Sequence, residues 1–206
     1  MKTLILPALA LLAFALPAKA ETPAAPAVVG QMAPEFTGMD TNGKEHKLSD
    51  FKGKTVVLEW TNPDCPYVIK HYDSGNMQAL QKEATADNVI WLSIASSAQG
   101  KEGYYDGAAS NKYMTEKNSA PTARILDPSG KIGHLYGAKT TPHMFVIDSK
   151  GMLVYAGAID DNDSFKPETI AGAKNYVRDA LKSVKAGTAV EVATSKPYGC
   201  SVKYAH

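Results

Sequence analysis

The stretch Thr55-Val-Val-Leu-Glu-Trp-Thr-Asn-Pro-Asp-Cys-Pro-Tyr67 decides the fold. Its first half is β-branched, apolar and aromatic, the content of a buried strand. Asn62-Pro63-Asp64 ends that strand, and Pro66 suits the first turn of a helix, where its missing N–H would have had no partner. Cys65 therefore stands at a strand-to-helix junction, with Asp64 as the expected helix cap. A thiol there faces unpaired backbone N–H groups and the positive end of the helix dipole, a setting that stabilises a thiolate. Asp64 opposes this with negative charge beside the sulfur. Glu59 interrupts an otherwise apolar strand. Buried, it would serve proton transfer near a thiol; at a sheet edge it would merely meet solvent.

Outward from this stretch, the helix opened at Pro66 is expected to break at Asp73-Ser74-Gly75 and resume from Asn76 to Ala86. Val89 to Ile94 reads as a second buried strand, and residues 99–120 as a loop with a helix inside it. A short strand at Arg124-Ile-Leu126 precedes the Asp127-Pro128 turn. A small helix over 129–136, a strand over 144–147 and a strand over 152–159 follow. Pro142 lies at a strand entry, where a missing N–H is tolerated. Ile170, Ala173, Val177, Leu181 and Val184 keep helical spacing and predict an amphipathic helix over 167–185. Upstream, the Asn42-Gly43 turn signals a hairpin. Strands alternating with helices, then a hairpin and a closing helix, describe an α/β fold with a mixed sheet.

The ends of the chain read differently. Residues 1–20 begin with Lys2, run apolar from Leu4 to Leu16 and finish Ala18-Lys-Ala20, the pattern of a secretory signal peptide cleaved after Ala20. Its apolar run falls short of the roughly 20 residues that span a bilayer, so no membrane insertion of the mature chain is expected. Residues 21–33 are read as a flexible Ala/Pro-rich tether, 34–186 as the folded domain, and 187–206 as a C-terminal extension carrying Cys200. The 206 residues are 44% hydrophobic and 21% charged, with 22 basic and 21 acidic side chains. That balance gives no footprint for nucleic acid. Two cysteines, Cys65 and Cys200, exclude a multi-disulfide scaffold and a thiolate zinc site. In an oxidising exported compartment such as the periplasm they leave three readings: a structural bridge, a redox pair, or unrelated thiols.

With these residues in view, the sequence resembles the thioredoxin-fold redoxins of the alkyl hydroperoxide reductase/thiol-specific antioxidant group, the peroxiredoxin-like proteins of bacterial cell envelopes. The resemblance rests on Val56-Val-Leu-Glu-Trp60, Asn62-Pro-Asp-Cys-Pro-Tyr67, Ser74-Gly-Asn-Met77, Tyr136-Gly-Ala-Lys-Thr-Thr-Pro-His143, Gly157-Ala-Ile-Asp-Asp161 and Pro197-Tyr-Gly-Cys200, and covers residues 29–203. It implies a thioredoxin-like fold, a central mixed sheet flanked by helices with an N-terminal hairpin and a C-terminal tail. It also implies that Pro142 is cis and that its loop packs beside Cys65. Two departures bear on the chemistry. Thioredoxin-like reductases carry a second Cys three residues after the first, where this chain has Val68. Ordinary peroxiredoxins have a Thr three residues before the reactive Cys, where this chain has Asn62 with Thr61 one residue earlier. Their later Arg has no convincing counterpart in Arg124 or Arg178.

What the resemblance implies is an exported two-cysteine thiol peroxidase acting on hydrogen peroxide or a small hydroperoxide. Cys65 would be the peroxidatic nucleophile, Thr61 or Asn62 would orient the peroxide, Glu59 would assist, and Cys200 would resolve the sulfenic acid as a disulfide. The long separation of the two cysteines is no obstacle, since loop-closure entropy grows logarithmically, and Gly199 supplies backbone freedom. No cofactor or metal is expected. The reductant would be a membrane thiol-electron transporter or an exported thioredoxin-like protein. The alternatives are a thiol–disulfide oxidoreductase acting on proteins, a copper carrier using Cys65, His143 and Met144, and a permanent Cys65–Cys200 staple.

Overall fold

The computed structural model describes residues 25–205; the signal-peptide reading of residues 1–20 lies outside them. The hairpin expected at Asn42-Gly43 joins β1 (Thr37–Asp40) to β2 (Glu45–Lys47). Asp40 ties its turn, accepting from the backbone N–H groups of Asn42 and Lys44 at 2.8 and 2.9 Å. Then follow β3 (Val56–Trp60), α1 (Pro66–Asp73), α2 (Asn76–Ala86), β4 (Ile90–Ala95), α3 (Gly107–Glu116), β5 (Ala123–Leu126) and α4 (Lys131–Tyr136). The chain continues through β6 (Thr140–Thr141), β7 (His143–Ile147), β8 (Leu153–Gly157), α5 (Tyr176–Ala186) and β9 (Cys200–Ser201).

Seven strands form one sheet in the order β2-β1-β5-β4-β3-β7-β8, while β6 pairs with β9 apart from it. The β5-β4-β3 strands are parallel and β1, β7 and β8 run against their neighbours, so the sheet is mixed. All five residues of β3 are buried because helices cover both faces of it. Val57 and Glu59 look toward α1 and α2, where Val68, Tyr72, Met77 and Leu80 pack. Val56, Leu58 and Trp60 look toward α4, where Ile132 and Tyr136 pack. A thioredoxin-like α/β fold results.

Two expectations are corrected. Residues 27–33, read as part of a tether, run pinned along the domain: Ala27 N–H donates to Leu135 O at 3.1 Å, Gly30 N–H to Leu153 O at 2.8 Å and Ala33 N–H to Gly151 O at 2.8 Å. Ala27, Val29 and Ala33 pack against the domain, while Val28 and Met32 stay exposed. The closing helix is shorter than its apolar spacing predicts. Residues 167–172 make a 3₁₀ turn entered by Pro167, and α5 begins after Asn175, whose side chain caps Arg178 N–H at 2.8 Å. The loop from Asp161 to Lys174 closes on itself through the Lys174 N–H to Asp161 carboxylate bond at 2.9 Å, which denies residues 173–175 a helical path.

Beyond α5 the extension returns across the molecule. Ala156 N–H donates to Ala193 O at 3.1 Å beside β8, Ala98 N–H to Lys203 O at 2.8 Å, and the Tyr204 ring stacks on His134 at 4.0 Å.

Candidate active site

Cys65 is the N-cap residue of α1, with extended backbone angles (φ −77°, ψ 123°) and a side chain of zero exposure. It sits one position before the helical turn in which the sequence placed it, and Asp64 is not the cap. The Asp64 carboxylate instead accepts from Gly103 N–H at 2.9 Å and the Tyr105 hydroxyl at 3.2 Å, pinning the loop before α3. Asn62 makes the turn into the helix: its side-chain oxygen accepts from Asp64 N–H at 2.8 Å and its carbonyl from Cys65 N–H at 3.1 Å.

The opposite wall is the β6–β7 corner, where the Thr141–Pro142 peptide is cis. The Cys65 thiol donates to the Thr141 carbonyl at 3.0 Å. Thr141 is also the residue that Cys200 opposes in the antiparallel β6–β9 pair. Both cysteines are free thiols, and Cys200 is half-buried. Burial, together with the adjoining Cys65 sulfur, pushes the Cys200 thiol up to about 12. Sequence reasoning could not place Cys200 in space; backbone pairing to the Pro142 corner brings it to Cys65. Gly199 makes the approach possible. Its φ of +128° is one L side chains rarely adopt, and a Cβ there would stand 2.1 Å from the Thr141 carbonyl oxygen.

Three buried polar atoms around this corner lack a hydrogen-bond partner: Thr61 Oγ1, Asn62 Nδ2 and Thr141 Oγ1. Buried polar groups are ordinarily paired, which makes these atoms candidates for contact with a polar ligand. Val68 is fully buried in the apolar core beneath Cys65, three residues along.

Glu59 lies on the same face of the sheet and is fully buried. Its carboxylate accepts from Tyr72 Oη, Trp91 Nε1 and Ser93 Oγ, each at 2.8 Å, and from Gln81 Nε2 at 3.1 Å. These donors come from α1, α2 and β4, and among the described contacts none joins Glu59 to Cys65. Arg124, in register beside Ser93, is 2% exposed and stands with its guanidinium 5.6 Å from the Tyr113 ring centre. It shares the Glu59 face of the sheet, but among the described residues its Nε and Nη2 are buried without a hydrogen-bond partner. His143 and Met144 do not converge on Cys65 as a copper site requires, because adjacent strand residues face opposite ways. Met144 packs with Cys65, whereas the His143 ring lies tilted against Phe145, ring centres 4.4 Å apart, on the α4 side.

A cysteine capping a helix after the central strand, opposite a cis-proline corner, defines a thioredoxin-like redoxin. The chain belongs to the AhpC/TSA family, whose sequence pattern matches residues 29–156. It is 29% identical to the chloroplastic peroxiredoxin Q of Triticum aestivum over 69% of this chain and 63% of that protein. It is 25% identical to the thiol-disulfide oxidoreductase ResA of Geobacillus thermodenitrificans over 60% of this chain and 65% of that protein. The chain thus spans a little under two thirds of the length of either relative. A crystal structure of a hypothetical protein from Sinorhizobium meliloti 1021 superposes with a TM-score of 0.75 at 20% identity, over 90% of this chain and 99% of that one. This likeness extends the shared fold to nearly the whole described chain.

Proposed function

We propose that the protein is a two-cysteine thiol peroxidase, and the observation that carries the reading is the seating of Cys200 opposite Thr141, whose carbonyl holds the Cys65 thiol. Cys65 as thiolate attacks one oxygen of hydrogen peroxide or a small hydroperoxide. The S–O bond forms, the O–O bond breaks, and the leaving oxygen departs as water or alcohol after taking up a proton. Thr61 and Asn62, with polar atoms buried and unpartnered, bind the peroxide and the developing charge on its leaving oxygen. Cys200 then attacks the sulfenic sulfur, giving the Cys65–Cys200 disulfide and a second water. An external dithiol restores both thiols.

The names of the relatives span peroxide reduction and disulfide exchange. The β6 edge favours peroxide reduction here. It is occupied by the chain's own β9, and Cys65 is fully buried. A peroxide needs far less room to reach the sulfur than a protein disulfide does. Val68 leaves Cys65 without the neighbouring thiol that an exchanging reductase uses to release its substrate. The N-terminal signal-peptide pattern fits work in the periplasm, with a membrane thiol-electron transporter or an exported thioredoxin-like protein as reductant.

The test mixes the reduced protein with one equivalent of hydrogen peroxide and follows free thiols, with Cys65→Ser and Cys200→Ser alongside. Loss of both thiols in the parent, a sulfenic acid in Cys200→Ser and inertness in Cys65→Ser are expected. Thiols oxidised no faster than free cysteine would overturn the reading and leave disulfide exchange with proteins in its place.

A further inference from the structure

Behind the two thiols lies a second group of polar side chains that the reaction above does not use. Asp160, just after β8, is 2% exposed, and Lys70 and His71 of α1 are 1% and 0% exposed. Tyr198 comes down on them from the tail, two residues before Cys200. Its hydroxyl donates to Asp160 Oδ1. His71 Nε2 lies 3.3 Å from the Tyr198 hydroxyl oxygen and 3.9 Å from Asp160 Oδ2. Asn76 Nδ2 donates to His71 Nδ1 at 2.8 Å, so the neutral ring carries its proton on Nε2, aimed at that pair. Lys70 Nζ stands 5.6 Å from the centre of the Tyr198 ring and donates to Asn162 O at 3.0 Å, and Tyr67 packs on the ring's flank at 5.8 Å.

Taking an ammonium, a carboxylate and an imidazole out of water is costly unless each is partnered. Here Asn162 supplies part of the partnering, its carbonyl taking Lys70 and its N–H donating to Asp160 Oδ1 at 3.1 Å, and the tail's Tyr198 supplies the rest by closing over Asp160 and His71. The β9 pairing, by contrast, is two residues long and lies at the reacting sulfur, where an oxygen added to Cys65 must push neighbours aside. The Tyr198 contact lies off that path.

We propose that Asp160, His71 and Lys70 anchor Tyr198, making Tyr198 and Asp160 positioning residues that keep Cys200 within reach while Cys65 is oxidised. The proposal rests on reading Cys200 as the resolving thiol. In the step concerned, Cys200 Sγ attacks Sγ of the Cys65 sulfenic acid. The S–S bond forms, the S–O bond breaks, and the departing hydroxide takes the Cys200 proton as water.

Tyr198→Phe keeps the ring and deletes the hydroxyl; Asp160→Asn removes the charge of the acceptor. Two reactions on the full chain separate the possibilities. Hydrogen peroxide, with dimedone trapping, gives the rates of sulfenic acid formation and of disulfide closure. The small 2-hydroxyethyl disulfide places a mixed disulfide on Cys65 without peroxide, and Cys200 closes it by displacing 2-mercaptoethanol as its thiolate. Loss of one charge-assisted hydrogen bond should slow closure about tenfold in each single variant and in both reactions. Sulfenic acid formation should be unchanged. The double variant should be no slower than either single, since both changes remove one contact. Unaltered closure in both reactions overturns the anchor even where peroxide oxidises Cys65. Additive slowing in the double variant, or equal loss of both steps, overturns it as well. Slowed closure with 2-hydroxyethyl disulfide beside a Cys65 inert to peroxide supports the anchor and removes the peroxidase reading.

Discussion

Glu59 places a carboxylate in the middle of β3, and four donors from three elements replace its water. A carboxylate accepts from all of them at once; an amide cannot. Glu59→Gln would turn an NH2 group toward donors that need an acceptor, and should cost about 2–4 kcal/mol of stability, read from urea unfolding. A change under about 0.5 kcal/mol would show the network to be dispensable to the fold. Thr61 presents the opposite case, a buried hydroxyl with no partner. Thr61→Val keeps its shape and removes an unpaired polar group, so stability should hold or rise by about 1 kcal/mol. If Thr61 binds peroxide, Cys65 oxidation should slow about tenfold in the same variant. A variant that oxidises as fast as the parent would assign the peroxide to Asn62 and the backbone.

The β6–β9 pair depends on one glycine. An alanine at Gly199 meets the Thr141 carbonyl and must also leave its φ of +128°, so Gly199→Ala should unseat β9 while the seven-stranded sheet stays intact. Iodoacetamide reads this out at neutral pH. In the parent, the half-buried Cys200 thiol, pushed up to about 12, should react slowly. In Gly199→Ala it should react about a hundredfold faster, and an unchanged rate would mean the tail is held elsewhere. The same elements show what a sequence carries. Val56 to Trp60, the break at Ser74-Gly75 and the hairpin at Asn42-Gly43 were legible because propensity, periodicity and turn chemistry act over a few residues. The start of α5 was not, since Ile170 and Ala173 keep helical spacing while a side-chain bond between Asp161 and Lys174 holds that stretch in another path. Cys65 could be picked out from its local setting. Cys200 could be named but not placed, because its partner, Thr141, lies far away in sequence and nothing local encodes a two-residue pairing. The anchor at Asp160 was invisible for the same reason, being assembled from α1, the loop after β8 and the tail.

Across the whole molecule, the two histidines buried near the cysteine corner set a limit on acid stability. Burial, reinforced by Lys70, lowers His71 to about 3, and burial, reinforced by Lys139, lowers His143 to about 4. Unfolded histidine takes its proton near 6.5, roughly. As pH falls below that value the unfolded chain therefore binds two protons that the folded chain refuses, and folding weakens with each step of acidification. The stability is fully present above the unfolded value and is lost as pH drops toward the folded values. Two groups give a limiting slope of about 2.7 kcal/mol per pH unit. Asp160, whose buried carboxyl is raised above the ordinary range, takes up a proton earlier in the folded state and flattens the lower end of the slope. Urea unfolding at a series of pH values between about 7 and 4 should show this fall. His71→Gln and His143→Gln should each remove about half of the slope, whatever they do to stability at pH 7. A slope that both variants leave intact would place the acid sensitivity in the carboxylates instead. The tail shares in the loss, because Tyr198 leans on His71 and Asp160 together: closure of the Cys65–Cys200 disulfide should slow in acid before the sheet unfolds.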